Sequence, residues 1–241
     1  MEEKEYHKMF DVEGRHWWYA GLRTAVISEL KTRLERKDTF VLDAGCGTGG
    51  VLKEIQGRCV SIGVDLSHVA LALCKKRGLE RLVNGSVACL PLKDNAFDAV
   101  ISLDVIYHRG VEDDILALRE FRRVLKDDGL LVLNLPAYEF LRSTHDEHVH
   151  ASRRYTKKEI TKKLNDAGFK IERVTYRNAV LFPVVFAVRL FKSGTRQGKS
   201  DVEKVAGPLN FMLTKVLFFE TWFLKYFDLP FGSSIFCVAR K

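Results

Sequence analysis

Residues 41–50, VLDAGCGTGG, carry an apolar run that meets an acid and then gives way to four glycines in six positions. A strand buried on both faces that breaks into so glycine-rich a turn belongs to a parallel sheet, where the turn opens a helix and offers backbone N–H groups to a ligand. Similar runs recur at 40–45 (FVLDAG), 60–65 (VSIGVD), 97–103 (FDAVISL) and 129–136 (GLLVLNLP), with helix-period segments between them. The alternation predicts an α/β fold: a mostly parallel sheet with crossover helices on both faces.

The helices carry their own punctuation. Ile115, Leu118, Phe121 and Leu125 recur at helical spacing, and Gly129 is expected to end that helix in the left-handed conformation. Thr156 and Glu159 form a T-x-x-E capping box before the stripe Ile160 and Leu164, and Gly168 stands where that helix should stop. Beyond it, FKIERVTY and SSIFCVARK alternate as half-buried strands, which predicts antiparallel pairing at one edge of the sheet. About fifty residues separate those strands. They hold an apolar run at 178–191 interrupted by Pro183, a polar hinge at 192–201 and a second apolar run at 209–227. The first is shorter than the roughly 20 residues that span a bilayer. In the second, Asn210, Thr214, Thr221 and Lys225 share one narrow stripe, leaving most of the circumference apolar apart from Lys215 and Glu220. A helix so apolar is expected to pack deep in the fold, meet another chain, line a greasy pocket or rest on a membrane.

Composition sets the compartment. The five cysteines, Cys46, Cys59, Cys74, Cys89 and Cys237, are odd in number and form no CxxC pair, which is reduced, intracellular usage. The first ten residues lack the apolar stretch of a signal peptide, so a cytoplasmic protein is expected, in contact at most with the inner face of a membrane through 178–227. The net charge of +8 concentrates in residues 153–177, where nine lysines and arginines face three acids. Such a segment is either a solvated helix face or a surface for phosphate groups.

Gly45, Gly47 and Gly50 fit G-x-G-x-x-G, and Asp65 follows Gly45 at the spacing of a nicotinamide dinucleotide site. Charge argues otherwise. Asp43 ends the strand two residues before the first glycine, where a fixed carboxylate repels a pyrophosphate and suits a ligand carrying a sulfonium and an ammonium.

From these residues a resemblance follows. Asp43-Ala44-Gly45-Cys46-Gly47-Thr48-Gly49 resembles the D-x-G-x-G-x-G motif of class I S-adenosylmethionine-dependent methyltransferases, and three further blocks resemble theirs in the same order: IGVDLS at 62–67, NGSVACLPLKDNAFDAVISLDVIYH at 84–108 and FRRVLKDDGLLVLNLP at 121–136. The similarity runs through residues 38–136 and is strongest to methyltransferase type 11-like members. It implies the Rossmann-like class I fold, with a seven-stranded, mostly parallel sheet, one antiparallel strand at its edge and a helical insertion before the last strand. It also implies S-adenosylmethionine as cofactor, held by Asp43, Gly45, Cys46, Gly47 and Gly49, with Asp65 and Leu66 at the ribose, Ser86 and Val87 at the adenine, and Leu103 and Asp104 at the end of the fourth strand. Ser86 departs from the acid that many members place there, although a hydroxyl accepts the same hydrogen bond. The aromatic run His16-Trp17-Trp18-Tyr19 with Arg23 resembles an N-terminal cover found in part of the family, which would set Trp18 over the cofactor and Arg23 near its methionine carboxylate. One methyltransferase domain over 1–241 is expected: a helical cover at 1–37, the cofactor core at 38–136, an active-site loop, helix and strand at 137–175, the apolar insertion at 176–231 and the last strand at 232–241.

Acceptor-side chemistry belongs beyond the fourth and fifth strands. There the sequence supplies His108, then His145 and His150 as further candidate bases, and Arg154 and Tyr155 to grip a substrate. His145, Asp146, His148 and His150 also have the residue types of a metal site, but short mixed clusters in loops often bind nothing, so no metal is expected. No D/N-P-P-Y/F follows the fourth strand, which disfavours amino-group methylation of nucleic-acid bases; a nucleic-acid partner is not expected, while the basic surface leaves a folded RNA open. The expected reaction is methylation, at oxygen, of a small acceptor, lipophilic or lipid-linked, under a lid made by the insertion. The alternatives are an RNA methyltransferase, an NAD-dependent oxidoreductase on the same core, or a non-catalytic cofactor-binding subunit. An oligomer is compatible with the apolar insertion.

Overall fold

The computed structural model describes residues 1–34, 37–184, 186–187 and 205–241. The polar hinge at 192–201 lies outside them. Seven strands, β1 (Phe40–Ala44), β2 (Val60–Asp65), β3 (Leu82–Asn84), β4 (Phe97–Leu103), β5 (Leu125–Pro136), β6 (Lys170–Arg177) and β7 (Ser234–Arg240), form one sheet in the order β3-β2-β1-β4-β5-β7-β6. β1 to β5 run parallel, and β7 is antiparallel to both β5 and β6. The reversed strand therefore sits second from the edge, with β6 outermost.

Each central strand buries both faces, so alternate residues serve two cores. Val41 and Ile101 face Ala25, Val26 and Leu30 of α2 (Trp17–Leu34). Leu42 and Val100 face the opposite cluster with Leu118 and Phe121 of α5 (Asp114–Val124) and Ile160 and Leu164 of α7 (Lys157–Asp166). A short α1 (Glu3–Val12) precedes α2, α3 (Gly50–Ile55) follows the glycine turn, α4 (His68–Lys76) follows β2, and α6 (Thr144–His148) lies in the loop after β5. Asp113 caps α5 by accepting from Ile115 and Leu116 N–H groups. α5 ends at Val124 and the chain is extended from Leu125 onward, so the left-handed stop expected at Gly129 is absent; the left-handed residue is Asp128, with φ 59°. β5 is already formed there, and its turn uses a side chain short enough to tolerate that region.

The capping box of α7 is formed: Thr156 Oγ1 accepts from Glu159 N–H at 3.3 Å and Glu159 Oε2 accepts from Thr156 N–H at 2.7 Å. Gly168 ends the helix at φ 84°. Thr156→Ala should cost about 1 kcal/mol, read as a shift in urea midpoint without a change in slope; no shift would mean that α7 is held by packing alone.

Of the insertion, residues 182–184 and 186–187 are helical and α8 (Gly207–Phe223) packs along α2. Gly21 makes that approach possible, since a Cβ there would stand 2.5 Å from Leu217 Cδ1.

Candidate active site

The carboxyl ends of β1, β2, β4 and β5 open onto a cavity of about 790 Å³, the usual place for a ligand in a parallel sheet and within the usual size range. The glycine turn forms its floor. Gly45, Gly47 and Gly49 all have positive φ, and a Cβ at Gly45 would meet Val105 at 2.3 Å, so neither the conformation nor the space admits a side chain. Gly47 N–H donates to Asp65 Oδ2 at 2.8 Å, while Ser67 N–H donates to Oδ1 at 2.8 Å. Asp65 thus braces the turn from β2 and keeps lone pairs on both oxygens for a ligand hydroxyl.

Three carboxylates gather beneath this turn. Asp43 is buried, and burial, reinforced by the charges of Glu13 and Asp65, pushes its carboxyl up to about 8. Asp65 is raised by burial against the backbone donors that favour its ionised form. Glu13, from the segment between α1 and α2, accepts from Thr48 Oγ1 at 2.5 Å and Gly50 N–H at 3.1 Å, and pairs with Arg77 at 2.9 Å. It caps α3, whose own cap position is Gly49 and has no side chain to offer. In their ionised forms these acids attract a cation and repel a pyrophosphate. The donor set fits S-adenosylmethionine.

Trp18, Arg23, Asp43, Gly45, Cys46, Gly47, Asp65, Leu66, Ser86, Val87, Leu103 and Asp104 all line the cavity. Gly49 does not; it lies behind the turn, where a Cβ would stand 2.4 Å from Leu79 and 2.9 Å from Cys74 Sγ. Arg23 spends donors on the carbonyls of Glu13 (2.6 Å) and Gly14 (3.3 Å), which fastens α2 to the end of α1. α1 forms the roof: Met9 Cε lies 2.8 Å from where a Gly47 Cβ would be, and Tyr6, whose hydroxyl burial raises to about 12, lines the same space.

On the acceptor side, His108, His150 and Arg154 reach the cavity. Burial holds the His108 imidazole down to about 4, so it is neutral at pH 7, and its Nδ1 is buried without a hydrogen-bond partner. Arg154 forks onto Asp146 at 2.9 Å through both Nε and Nη2. That pairing consumes the one acid of the histidine cluster. His148 Nδ1 lies 3.3 Å from Glu2, and the His145 side chain is outside what the structure describes. Tyr155 is placed elsewhere. Its side chain is buried under α5, its hydroxyl donates to Asp114 Oδ2 at 2.9 Å, and it does not line the cavity; a residue expected to grip substrate is a packing residue.

Asp104 holds the junction between the two halves. It sits at φ 54° immediately after β4, and both its carboxylate oxygens accept from Asn134 Nδ2, at 3.0 and 3.1 Å. Burial pushes it up to about 7, against Asn134 and the charges of Arg177 and Arg154. Sequence reasoning missed Tyr6 and Met9, which reach the site from α1, Glu13, which reaches it from the segment after α1, and Ser233 and Ser234, which reach it from the start of β7. None of these carries a local signal, because each is tens of residues distant from what it touches.

Residues 42–133 match the family model Methyltransf_11, a methyltransferase domain. The chain is 32% identical over 142 residues to an Arabidopsis thaliana tRNA (carboxymethyluridine(34)-5-O)-methyltransferase, covering 58% of this chain and 34% of that protein. It is 33% identical over 163 residues to an uncharacterized protein of Methanocaldococcus jannaschii, covering 66% of each. The alignments thus take in 34% of the Arabidopsis relative's length and 31% of a mouse relative's, the probable tRNA methyltransferase 9B. Among solved structures, an Archaeoglobus fulgidus SAM dependent methyltransferase superposes with a TM-score of 0.57 at 18% identity over 91% of this chain and 94% of that one. Haemonchus contortus phosphoethanolamine N-methyltransferase 2, in complex with S-adenosyl-L-methionine, superposes at 0.55 and 19% identity over 89% of this chain and 51% of that one. At such identities the superpositions speak for the fold. With the glycine turn and the acids beneath it in agreement with the family match, residues 42–133 form a methyltransferase domain of the S-adenosylmethionine-dependent kind, on a fold shared with solved S-adenosylmethionine-dependent methyltransferases.

Proposed function

We propose that the chain methylates oxygen on a small acceptor with an apolar body, bound in the half of the cavity between the N-terminal helices and the loop after β5. The observation that carries this reading is the meeting of two unlike halves at Asp104 and His108. One half is acidic and built on the glycine turn. The other is lined by Trp17, Leu141, Val149 and Val184 under a roof of helix.

When bound, S-adenosylmethionine supplies a methyl carbon already activated by its sulfonium. The chain's part is to orient the acceptor and receive its proton. Asp104, read from sequence as a cofactor contact, is better suited to that proton than the histidines. Its acidity lies near neutral pH, whereas His108, held at about 4, is the weaker base, which leaves Asp104 to receive the proton of the acceptor hydroxyl. Asn134 fixes the Asp104 carboxylate, and Arg154, locked to Asp146, lines the wall beside it.

A second reading, methylation of tRNA, is favoured by relatives named as tRNA methyltransferases and is the folded-RNA alternative that the basic surface left open. Against it, much of the basic segment is internally engaged. Lys163 and Arg153 both pair with Asp114, at 2.7 and 3.1 Å, and Arg173 pairs with Glu29 at 3.4 Å. Methyl-labelled S-adenosylmethionine offered in parallel to a total lipid extract and to bulk tRNA separates the two. Label in the organic phase, lost at least 100-fold in Asp104→Asn, is the expected result. Label confined to tRNA would replace this reading by the second.

A further inference from the structure

α8 is turned inside out. Its polar groups face the protein: Asn210 Oδ1 accepts from Trp17 N–H at 2.9 Å and its Nδ2 donates to Arg15 O at 2.8 Å, Thr221 is buried, and Glu220 is buried against the end of β6. Its apolar groups face outward. Phe211, Met212, Phe218, Phe219 and Trp222 are exposed at helical spacing, and Tyr226 continues the stripe at 65% exposure. A water-soluble surface helix arranges these classes the other way round.

The charges on that face are of one sign. Lys215 is exposed within the stripe and Lys225 at its edge, one residue past the helix cap, and the sole acid of α8, Glu220, points inward. Lys215 Nζ lies 5.2 Å from the Phe211 ring centroid, its stem laid along the aromatic surface. We propose that this face of α8 docks on an anionic lipid surface, aromatic side chains in the headgroup boundary and the two lysines among lipid phosphates. It is an in-plane contact, since no described helix is long and apolar enough to cross a membrane.

Charge selects this occupant over a second copy of the chain. A twofold contact sets the stripe against itself, so each lysine would be buried opposite apolar rings or another lysine with no acid on the helix to receive it. A lipid interface leaves the ammonium groups solvated while the rings are buried. A second exposed apolar patch lies at the cavity itself. Val184 is exposed and lines the cavity, and the rings of Phe140, Phe182, Phe186 and Phe231 form one contacting cluster near it in sequence and space. A chain docked in this way is brought to the phase that holds lipophilic acceptors, which deepens the lipophilic-acceptor reading and rests on it for its purpose.

Sedimentation of the full chain with phosphatidylglycerol–phosphatidylcholine vesicles tests docking without any methyl transfer, so docking and the acceptor reading can fail separately. Expected is binding that weakens with added salt, falls about 30-fold in Lys215→Gln/Lys225→Gln, the loss of two interfacial lysines, and is abolished in Phe219→Asp/Trp222→Asp. S-adenosylmethionine affinity, measured by calorimetry, should be unchanged in both variants and certifies their folding. Wild-type protein that binds the cofactor but not the vesicles overturns the proposal. So does light scattering that shows a dimer of the free chain dissociated by Phe219→Asp/Trp222→Asp, because the face is then occupied by its own copy.

Discussion

S-adenosylmethionine should bind about tenfold more tightly for each unit that pH rises between about 6 and 8, and then no more tightly above it. The reason is Asp43. In the free protein its carboxyl titrates at about 8, pushed up by burial and by Glu13 and Asp65, so at neutral pH it is mostly protonated. A cationic ligand selects the ionised form, and binding must expel that proton. Calorimetry in buffers of contrasting ionisation enthalpy reads the proton directly. Asp43→Asn should erase the slope and weaken binding at least 100-fold at high pH, while a wild-type affinity flat across this range would remove Asp43 from the cation site. The same shift has the opposite sign for stability. A carboxyl raised above its unfolded value leaves the native state holding more protons than the unfolded state between the two, so stability falls as pH rises from about 4 toward 8. Asp104, raised to about 7, adds to that fall. Asp43→Asn therefore stabilises the free protein at neutral pH while damaging its cofactor site.

Glu220→Ala should destabilise the fold by about 3–5 kcal/mol. Glu220 accepts from three successive backbone N–H groups, those of Asn178 at 2.6 Å, Ala179 at 2.8 Å and Val180 at 3.4 Å. It also counters the burial of Arg177, whose guanidinium is lowered to about 10 with its Nε left unpartnered. Alanine would strand the Asn178 and Ala179 N–H groups and the Arg177 guanidinium in the interior. Denaturant unfolding measures the cost; a loss below about 1 kcal/mol would mean that water or a shifted side chain replaces the carboxylate. Glu220→Gln, which keeps one acceptor oxygen, should fall between the two.

The cofactor core was legible because its determinants are local. The glycine turn, Asp43, Asp65 and the buried strands each announce themselves within a few residues, and the structure brings them to one end of the sheet. What the sequence hid is whatever acts over distance. Glu13 caps a helix 37 residues away, and no pattern near either residue pairs them. Tyr155 has the right type and neighbourhood for a substrate contact, yet Asp114, from another helix, draws its hydroxyl inward. The apolar circumference of α8 was legible, but its rotation was not. Periodicity says which residues share a stripe, while the packing of α2 against it says which stripe is buried. Gly129 misled for a simpler reason: a glycine after a helix is a stop only if the next segment has not already begun as a strand.

The position of β7 imposes an order of assembly. Among the described residues β6 pairs in the sheet with β7 alone, and β7 follows β6 by more than fifty residues. β1 to β5 can pair as they are synthesised, since each of β2 to β5 finds a partner earlier in the chain. β6 cannot. Until residues 234–240 arrive to bridge it to β5, its edge hydrogen bonds and the aromatic surface of α8 wait together, outside any finished sheet. This is the interval in which the nascent chain is most open to aggregation or to capture by a chaperone, and a lesion in β7 would be felt first as loss of yield rather than of chemistry.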